Sequence, residues 1–254
     1  MHSVDELRAL VEDALGELAM HTDLAGLAEA VRYSIEGGGK RIRPVLCLAV
    51  AEALGHEPEE ALPAACAVEL VHSFSLVHDD LPSLDDDAVR RGRASTWSAF
   101  GEAVGVLAGD ALVTEAFRLA ATYPTTGVVR ELADATLGMI GGQYLDVTAS
   151  AADLPSLNRL KTARLFEAAV VCALEACNAQ LQPTWRRFAQ EVGTLFQLVD
   201  DLLDGDGFVL AHGEESTREQ ADRAAERALS ALDELDVDAG VLRELVESLA
   251  TRTA

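Results

Sequence analysis

The chain has 254 residues, of which 49% are apolar, and a formal net charge of −23 at pH 7. This length provides one large or two ordinary domains with a substantial core. A chain with this much negative charge repels nucleic acid and anionic lipid headgroups. We therefore expect neither of them as a partner. Aromatic residues are only 5%, whereas alanine and leucine are abundant, which favours helices over sheets.

The cysteines and the first residues indicate where the protein resides. Cys47, Cys66, Cys172 and Cys177 all lie in apolar stretches, and no C-x-x-C pairing occurs. They are typical of buried thiols in a reducing cytoplasm rather than of disulfides or zinc ligands. The opening MHSVDELRALVED is unlike a signal peptide, and no uncharged apolar run reaches the roughly 20 residues that span a bilayer. We therefore expect a cytoplasmic protein without membrane insertion.

Helices are predicted from the start of the chain. Ser3 and Glu6 have the spacing of a capping box, which predicts a helix start. A second helix is predicted over residues 23–35 and stops at the glycines of GGGKRIRP (37–44). The proline of that stretch suits the first turn of the next helix, which ends at Gly55.

The stretch GGGKRIRP suits an anion, because glycines free the backbone and cations cluster at a helix start. A helix end flanked by surface arginines explains the same residues equally well. Lysine usage favours the anion, since only Lys40 and Lys161 stand among 18 arginines. A lysine ammonium group is a compact point charge that suits phosphate oxygens. The alternative is that these two lysines remain by chance in a chain that otherwise uses arginine.

The fourth predicted helix begins near Pro63 and ends in the densest acidic run of the chain. Five aspartates occur within nine residues: Asp79, Asp80, Asp85, Asp86 and Asp87. Aspartates at a helix C-terminus interact unfavourably with the helix dipole. Binding of cations therefore explains their presence better than a contribution to helix stability does. Pro82 breaks the helix, which lets the later aspartates turn back toward the earlier ones. Mg²⁺ takes a few carboxylates plus substrate phosphates, so we predict a metal and diphosphate site.

Six further helices are predicted, over residues 98–122, 126–150, 157–181, 184–203, 216–235 and 239–251. Gly101, Gly105 and Gly109 in the first of them cost helix stability but let neighbouring helices approach closely. No linker rich in glycine, serine or proline divides the chain. We therefore predict one all-α domain over residues 1–254.

The fourth of these helices carries a second acidic cluster within FQLVDDLLD. Asp200 and Asp204 share one face, and Gln197 lies one turn earlier on it. Exposed carboxylates are an alternative, but apolar residues surround the cluster. A calcium loop is excluded because Phe208 and Val209 stand where an acidic ligand and a glycine are required.

Six stretches recur in the order of a known family: GGGKRIRP, HDDLPSLDDDAVRRGRAS, AFGEAVGVLAGDAL, GMIGGQYLD, KTARLF and FQLVDDLLD. They closely resemble the trans-polyprenyl (isoprenyl) diphosphate synthases, especially bacterial short-chain members of the farnesyl and geranylgeranyl type. The resemblance implies an all-α isoprenoid synthase fold, with helices around a deep central cavity. It also implies a homodimer that condenses isopentenyl diphosphate with an allylic diphosphate, head to tail.

The same resemblance implies roles for individual residues. Three Mg²⁺ on the allylic diphosphate would be held by Asp79, Asp80, Asp85, Asp200, Asp201 and Asp204. Contacts to that substrate are implied for Arg90, Lys161, Thr162 and Gln197. The isopentenyl diphosphate site is implied at Lys40, Arg43, His72 and Arg91. The implied catalytic set is Asp79, Asp80, Asp85, Lys161, Asp200 and Asp201.

One departure from the family pattern follows the second acidic cluster. Family members usually continue with a lysine-bearing loop, whereas this chain reads GDGFVLAHGEESTREQADRA. Arg218 is a candidate replacement for the missing cation. We predict reduced affinity or an altered closing step rather than inactivity, because all the metal ligands remain.

Product length is predicted from the residues just before the first acidic cluster. Phe74 lies five residues before Asp79, about a turn and a half down the helix. With Ser75 it forms the predicted floor for the growing tail, which favours farnesyl diphosphate over geranyl or geranylgeranyl diphosphate. Ordinary core packing is the alternative for Phe74.

Two other functions fit parts of the pattern. A class I terpene cyclase shares the fold, but it lacks an isopentenyl site and carries an N-D-x-x-S-x-x-x-E motif that is absent here. A non-catalytic or weakly active subunit that modulates a partner synthase fits the missing lysine loop. The intact aspartate clusters argue against that subunit.

Overall fold

A computed structural model describes residues 2–148 and 163–252, and within them the chain is almost entirely helical. The helices are α1 (Val4–Gly16), α2 (Leu27–Glu36), α3 (Ile42–Ala53), α4 (Pro58–Asp79), α5 (Thr96–Phe100), α6 (Glu102–Ala120), α7 (Gly127–Val147), α8 (Arg164–Ala176), α9 (Pro183–Asp204), α10 (Gly207–His212), α11 (Glu214–Asp233) and α12 (Gly240–Ala250). A short antiparallel ribbon joins β1 (Val89–Arg90) to β2 (Arg93–Ala94). The all-α prediction is confirmed, although neither the ribbon nor α10 was predicted.

The first two helices show what the sequence pattern captured and what it missed. The capping box is present, since the Glu6 amide donates to Ser3 Oγ over 3.3 Å and the Ser3 amide donates to Glu6 Oε2 over 2.7 Å. The second helix begins at Leu27, four residues later than predicted. A 3-10 turn at Thr22–Leu24 and the left-handed Ala25 (φ +47°) precede it.

Helix α4 is the central helix and packs on α3, α6 and α8. It begins at Pro58 rather than near Pro63, because Pro58 occupies the first turn and Pro63 lies inside the helix. The Tyr123 hydroxyl donates to the Glu60 carbonyl (2.9 Å) and accepts from the Ala64 amide (3.1 Å). This hydroxyl bridges one helical turn beside the proline, where the backbone ladder is weakest.

The apolar composition of α4 reflects its place in the core. By length and composition it could cross a membrane, but 67% of its most apolar window is buried inside the molecule. The four cysteines are also buried and free of disulfides, as predicted. Burial raises the pKa of each of the four thiols, so they stay protonated.

The helix predicted over 98–122 is interrupted at Gly101, whose φ of +92° ends α5 and starts α6. The other two glycines of that stretch behave as predicted. A Cβ at Gly105 would lie 2.9 Å from Trp97 Cβ, and one at Gly109 would overlap the His78 ring. Helix α6 therefore approaches α5 closely at Gly105 and α4 closely at Gly109.

The remaining helices follow the predictions within a few residues, except α8, which ends at Ala176, five residues before the predicted end at residue 181. The helix predicted from residue 157 begins in a stretch that lies outside the described residues, and α8 is described from Arg164. Helix α9 packs along α11, which places the second acidic cluster opposite the glycine-rich turn between α2 and α3.

Candidate active site

The C-terminal half of α4 forms a wall shared by two cavities. The apolar cavity, about 360 Å³, is lined by Phe74, Ser75, Asp79, Met139, Ile140 and Tyr144, among others. The cationic cavity, about 540 Å³, is lined by Lys40, Arg43, His72, Arg91, Asp200 and Arg252, among others. One helix thus contributes residues both to an apolar pocket and to a strongly charged one.

The first acidic cluster is organised by a tight turn at the end of α4. The Asp85 amide donates to the Asp79 carbonyl over 2.9 Å, and the Asp87 amide donates to the Asp80 carbonyl over 3.1 Å. The chain therefore turns back after Pro82, as predicted. Asp79 lines the apolar cavity, and Asp85 is exposed.

Asp80 is buried, with 2% of its surface exposed, and its carboxylate is held by an arginine. The Arg90 Nε donates to Asp80 Oδ1 over 3.0 Å, and Arg90 also lies 3.2 Å from Asp87 Oδ2. Burial raises the pKa of Asp80, while the Arg90 guanidinium opposes that shift. In this structure Asp80 anchors Arg90 and the ribbon that carries it.

The hairpin after Arg90 brings a second arginine to the glycine-rich turn. Arg91 and Gly92 both have positive φ (+53° and +75°), as a two-residue type I′ turn requires. The Arg91 guanidinium donates to the Gly38 carbonyl. Gly39 has φ +146°, a backbone conformation that would be strained for any residue with a side chain, and a Cβ there would also lie 2.6 Å from Arg91 Nη1. The two loops therefore form one surface of the cationic cavity.

Electrostatics make the cationic cavity suited to an anion. Burial lowers the pKa of Arg43 to about 10, which leaves it charged at neutral pH, and its guanidinium lies 4.6 Å from the Phe166 ring centroid. Burial, and then the guanidinium groups of Arg43 and Arg91, lower the pKa of His72 well below its usual value. A neutral His72 thus lies among permanently charged neighbours.

A buried ion pair in the wall of this cavity was not predicted. Arg41 adopts a left-handed conformation (φ +49°), and its Nη1 donates to Glu69 Oε1 over 2.6 Å. Its Nη2 donates to the Ile35 carbonyl (2.7 Å), and its Nε donates to Glu12 Oε1 (2.8 Å). Arg41 therefore ties α1, α2 and α4 together at the turn that presents Lys40. A lone glutamate within an apolar helix was the signal for this pair.

The second acidic cluster divides between two environments. Asp200 and Asp204 line the cationic cavity, and burial together with Asp204 raises the pKa of Asp200 to about 6. Asp201 is buried, and its oxygens accept from Gln197 Nε2 (2.7 Å) and the Phe208 amide (3.0 Å). Neither Asp201 nor Gln197 lines the cationic cavity. Gln197, which was predicted to lie one turn before Asp200 on the same face, donates to Asp201, the residue one turn after it.

The cation beside the second cluster is not the one predicted. Arg218 pairs with Glu214 at 3.5 Å on α11, and its side chain is 60% exposed. Arg252, which follows α12, instead lies in the cationic cavity with its Nη2 2.8 Å from Asp200 Oδ1. No motif marked Arg252, because only the fold brings it near Asp200.

The apolar cavity contains the predicted floor and one residue that was missed. Phe74 is 9% exposed and packs edge-on against His78, with ring centroids 4.9 Å apart. Ser75 lies beside it in the cavity wall. Both amide atoms of Gln143 are buried without a hydrogen-bond partner among the described residues. The signal for Gln143 was a lone amide in the apolar run GMIGGQYLD. Lys161 and Thr162 lie outside the described residues.

The fold agrees with the comparisons to known proteins. A sequence model of the family Polyprenyl synthetase matches residues 25–217. The chain belongs to the polyprenyl synthetase family. It is a trans-prenyltransferase, as the sequence resemblance implied.

Individual members of the polyprenyl synthetase family match along most of this chain. The geranylgeranyl diphosphate synthase of Cyanophora paradoxa is 40% identical over 216 residues, which cover 78% of this chain and 72% of that protein. The farnesyl diphosphate synthase of Bacillus subtilis (strain 168) is 38% identical over 212 residues, which cover 75% and 72%. The crystal structure of geranyltranstransferase from Thermotoga maritima, 30% identical, superposes with a TM-score of 0.86 over 98% of this chain and 97% of that one. The chain spans less than two thirds of some longer plant relatives.

Proposed function

We propose that this protein condenses isopentenyl diphosphate with an allylic diphosphate, head to tail, and releases pyrophosphate. The observation that carries the proposal is the shared wall of α4. Phe74 and Asp79 face the apolar cavity, which suits an isoprenoid tail, while His72 faces the cationic cavity, which suits a diphosphate. The two reacting substrates would therefore meet along one helix.

The cationic cavity would bind isopentenyl diphosphate. Lys40, Arg43 and Arg91 supply charge, and planar guanidinium groups match phosphate oxygens with paired hydrogen bonds. His72, held neutral, would donate one N–H without adding charge. Lys161 and Thr162 are proposed contacts to the allylic diphosphate, together with Arg90.

The residues present fit Mg²⁺, which prefers hard oxygen ligands. Among residues 2–148 and 163–252, no three His, Cys, Asp or Glu side chains gather tightly enough to hold a metal alone. Substrate phosphates complete such a shell, and three ions are proposed. Asp79 and Asp85 would hold metal on one side, and Asp200 and Asp204 on the other. Burial and the neighbouring Asp204 raise the pKa of Asp200, so a bound cation would stabilise the charged form of its carboxylate.

Asp80 and Asp201 would act differently from the other four aspartates. Arg90 holds Oδ1 of Asp80, while Gln197 and the Phe208 amide hold the two carboxylate oxygens of Asp201. We propose that Asp80 positions Arg90 for the allylic diphosphate. Asp201 would hold α9 against the start of α10.

The reaction begins when the allylic carbon–oxygen bond breaks and the diphosphate leaves with the electron pair. Mg²⁺, when bound, neutralises charge that develops on the departing group. Arg90, which is held by Asp80, would stabilise that same charge. The double bond of isopentenyl diphosphate then attacks the allylic carbon, and the proton lost from the adduct goes to the departing diphosphate. The apolar cavity keeps water from the cation.

We propose farnesyl diphosphate as the product, with Phe74 and Ser75 as the floor of the tail cavity. The names of the relatives include both farnesyl and geranylgeranyl diphosphate synthases. The bulk of Phe74, five residues from Asp79 and directed at the cavity, favours the shorter product.

A homodimer is proposed from an exposed apolar face on α6 and α7. Leu107, Leu137, Ile140 and Tyr144 are all at least half exposed. Ile140 and Tyr144 also line the apolar cavity, so a second copy packed there would help to close it. We further propose that residues 1–254 form one domain in the cytoplasm.

A product assay tests the proposed function. The purified protein is incubated with Mg²⁺, isopentenyl diphosphate and dimethylallyl, geranyl or farnesyl diphosphate, and the dephosphorylated alcohols are identified by mass. A C15 alcohol from the first two allylic substrates supports the proposal. Hydrocarbons formed from an allylic diphosphate alone would indicate a terpene cyclase. No product with any substrate would indicate a subunit that modulates a partner.

A further inference from the structure

One carboxylate oxygen in the cationic cavity is shared by two cations from distant parts of the chain. Arg252 Nη2 lies 2.8 Å and Lys40 Nζ lies 3.5 Å from Asp200 Oδ1. Lys40 follows the glycine-rich turn, and Arg252 follows α12. The Arg252 side chain is only 17% exposed, so this contact is shielded from bulk water.

Arg252 also has an unused hydrogen-bond donor. Its Nη1 is buried and finds no partner among the described residues. Its guanidinium lies 5.9 Å from the Phe196 ring centroid, and the Arg43 guanidinium lies 5.3 Å from the same ring. Burial lowers the pKa of Arg252, yet a guanidinium starts so high that it remains charged. A buried charge with a spare donor in a cavity wall can accept a further anion.

Competition for Asp200 connects this arginine to the metal. A cation on Asp200 Oδ1 weakens the attraction of a second cation to the same carboxylate, so Mg²⁺ and Arg252 compete for Asp200. A displaced guanidinium is left without its counter-ion and would bind a neighbouring diphosphate with charge-assisted bonds. The segment after α9, GDGFVLAHGEES, supplies no lysine for that purpose.

We propose that Arg252 is an exchangeable counter-ion, paired with Asp200 before the metal binds and with a substrate diphosphate afterwards. Metal and diphosphate then strengthen each other's binding, because each favours the same position of Arg252. This inference rests on the proposed function, which makes Asp200 a metal ligand.

The test is calorimetry on the full chain carrying Arg252→Gln. Two titrations are compared with wild type: Mg²⁺ alone, and inorganic pyrophosphate at saturating Mg²⁺. We expect Mg²⁺ alone to bind a few fold more tightly, because its competitor is gone. We expect pyrophosphate to bind about tenfold more weakly, as loss of one charge-assisted hydrogen bond predicts. Arg252→Lys, which keeps the charge, should recover part of both changes.

Arg243→Gln is the matched control, since Arg243 lies on α12 and pairs with Asp233 at the exposed surface. It should leave both affinities at wild-type values. The inference would be overturned if Arg252→Gln weakened the binding of Mg²⁺ and of pyrophosphate in parallel, or if it left the affinity for pyrophosphate unchanged. The proposed function would survive either result as long as the wild-type protein still makes prenyl product. Wild-type protein that binds neither Mg²⁺ nor pyrophosphate would overturn both the inference and the proposed function.

Discussion

Replacing Phe74 by alanine should lengthen the product and cost only modest stability. The ring is 9% exposed, so its burial is worth about 2–3 kcal/mol. A sealed core would add a cavity penalty and bring the loss to about 3–5 kcal/mol. Phe74 instead borders an existing cavity of about 360 Å³, so the space merges with one that solvent or a tail can fill. We therefore expect the free energy of unfolding to fall by about 2–3 kcal/mol.

The assay follows product length and stability together. Urea unfolding gives the stability, and mass analysis of the alcohols at 25 °C gives the product, which should shift from C15 toward C20. Met139→Ala enlarges the same cavity from α7 and serves as the comparison. If Phe74→Ala loses the expected stability while its product is unchanged, the ring is core packing and not the floor. If Met139→Ala alone lengthens the product, α7 forms the floor.

Three further changes test the charged residues. Asp85→Asn should lower kcat at least a hundredfold, because a metal supplies several kcal/mol of charge stabilisation. Asp86→Asn is the control and should behave like wild type, because asparagine tolerates the left-handed backbone of that position (φ +54°). Glu69→Gln should lower the free energy of urea unfolding by about 3 kcal/mol or more, because it breaks a buried ion pair. Glu12→Gln should lower it by less than about 1 kcal/mol, because the Glu12 side chain is 43% exposed. Equal losses in the two variants would contradict this difference in burial. The folded-state pKa of His72 is lowered, so its stability contribution is present above about pH 6.5 and lost as pH falls. Between pH 7.5 and 5.5 the wild type should lose about 1.4 kcal/mol relative to His72→Gln, and parallel pH profiles would refute the shift.

The sequence predicted most helices, because capping residues, prolines and apolar periods act locally. It failed where a single residue's surroundings decide the outcome. Pro63 was taken for a helix start, but the Tyr123 hydroxyl, far away in the chain, supports the helix around it. Gly101 was placed inside a helix, although its backbone conformation ends one.

The sequence predicted the motifs of the candidate site but not the different position that each residue of a motif takes. The cations of GGGKRIRP, His72 and Arg91 do line one cavity, as the resemblance implied. Adjacent aspartates were treated as equivalent, although neighbours on a helix point about 100° apart, so Asp200 faces the cavity and Asp201 does not. Arg252 lies 52 residues beyond Asp200 and belongs to no motif, so only the packing of α12 could reveal it.

The shared wall of α4 also restricts how this chain can vary in length. Glu69 and His72 line the cationic cavity, whereas Phe74 and Asp79 line the apolar cavity on another side of the same helix. A one-residue insertion ahead of Phe74 would rotate everything after it by about 100° relative to Glu69 and His72. The tail cavity and Asp79 would then lose their register with the diphosphate cavity in a single step. The segment between Glu69 and Asp79 should therefore accept no insertion or deletion.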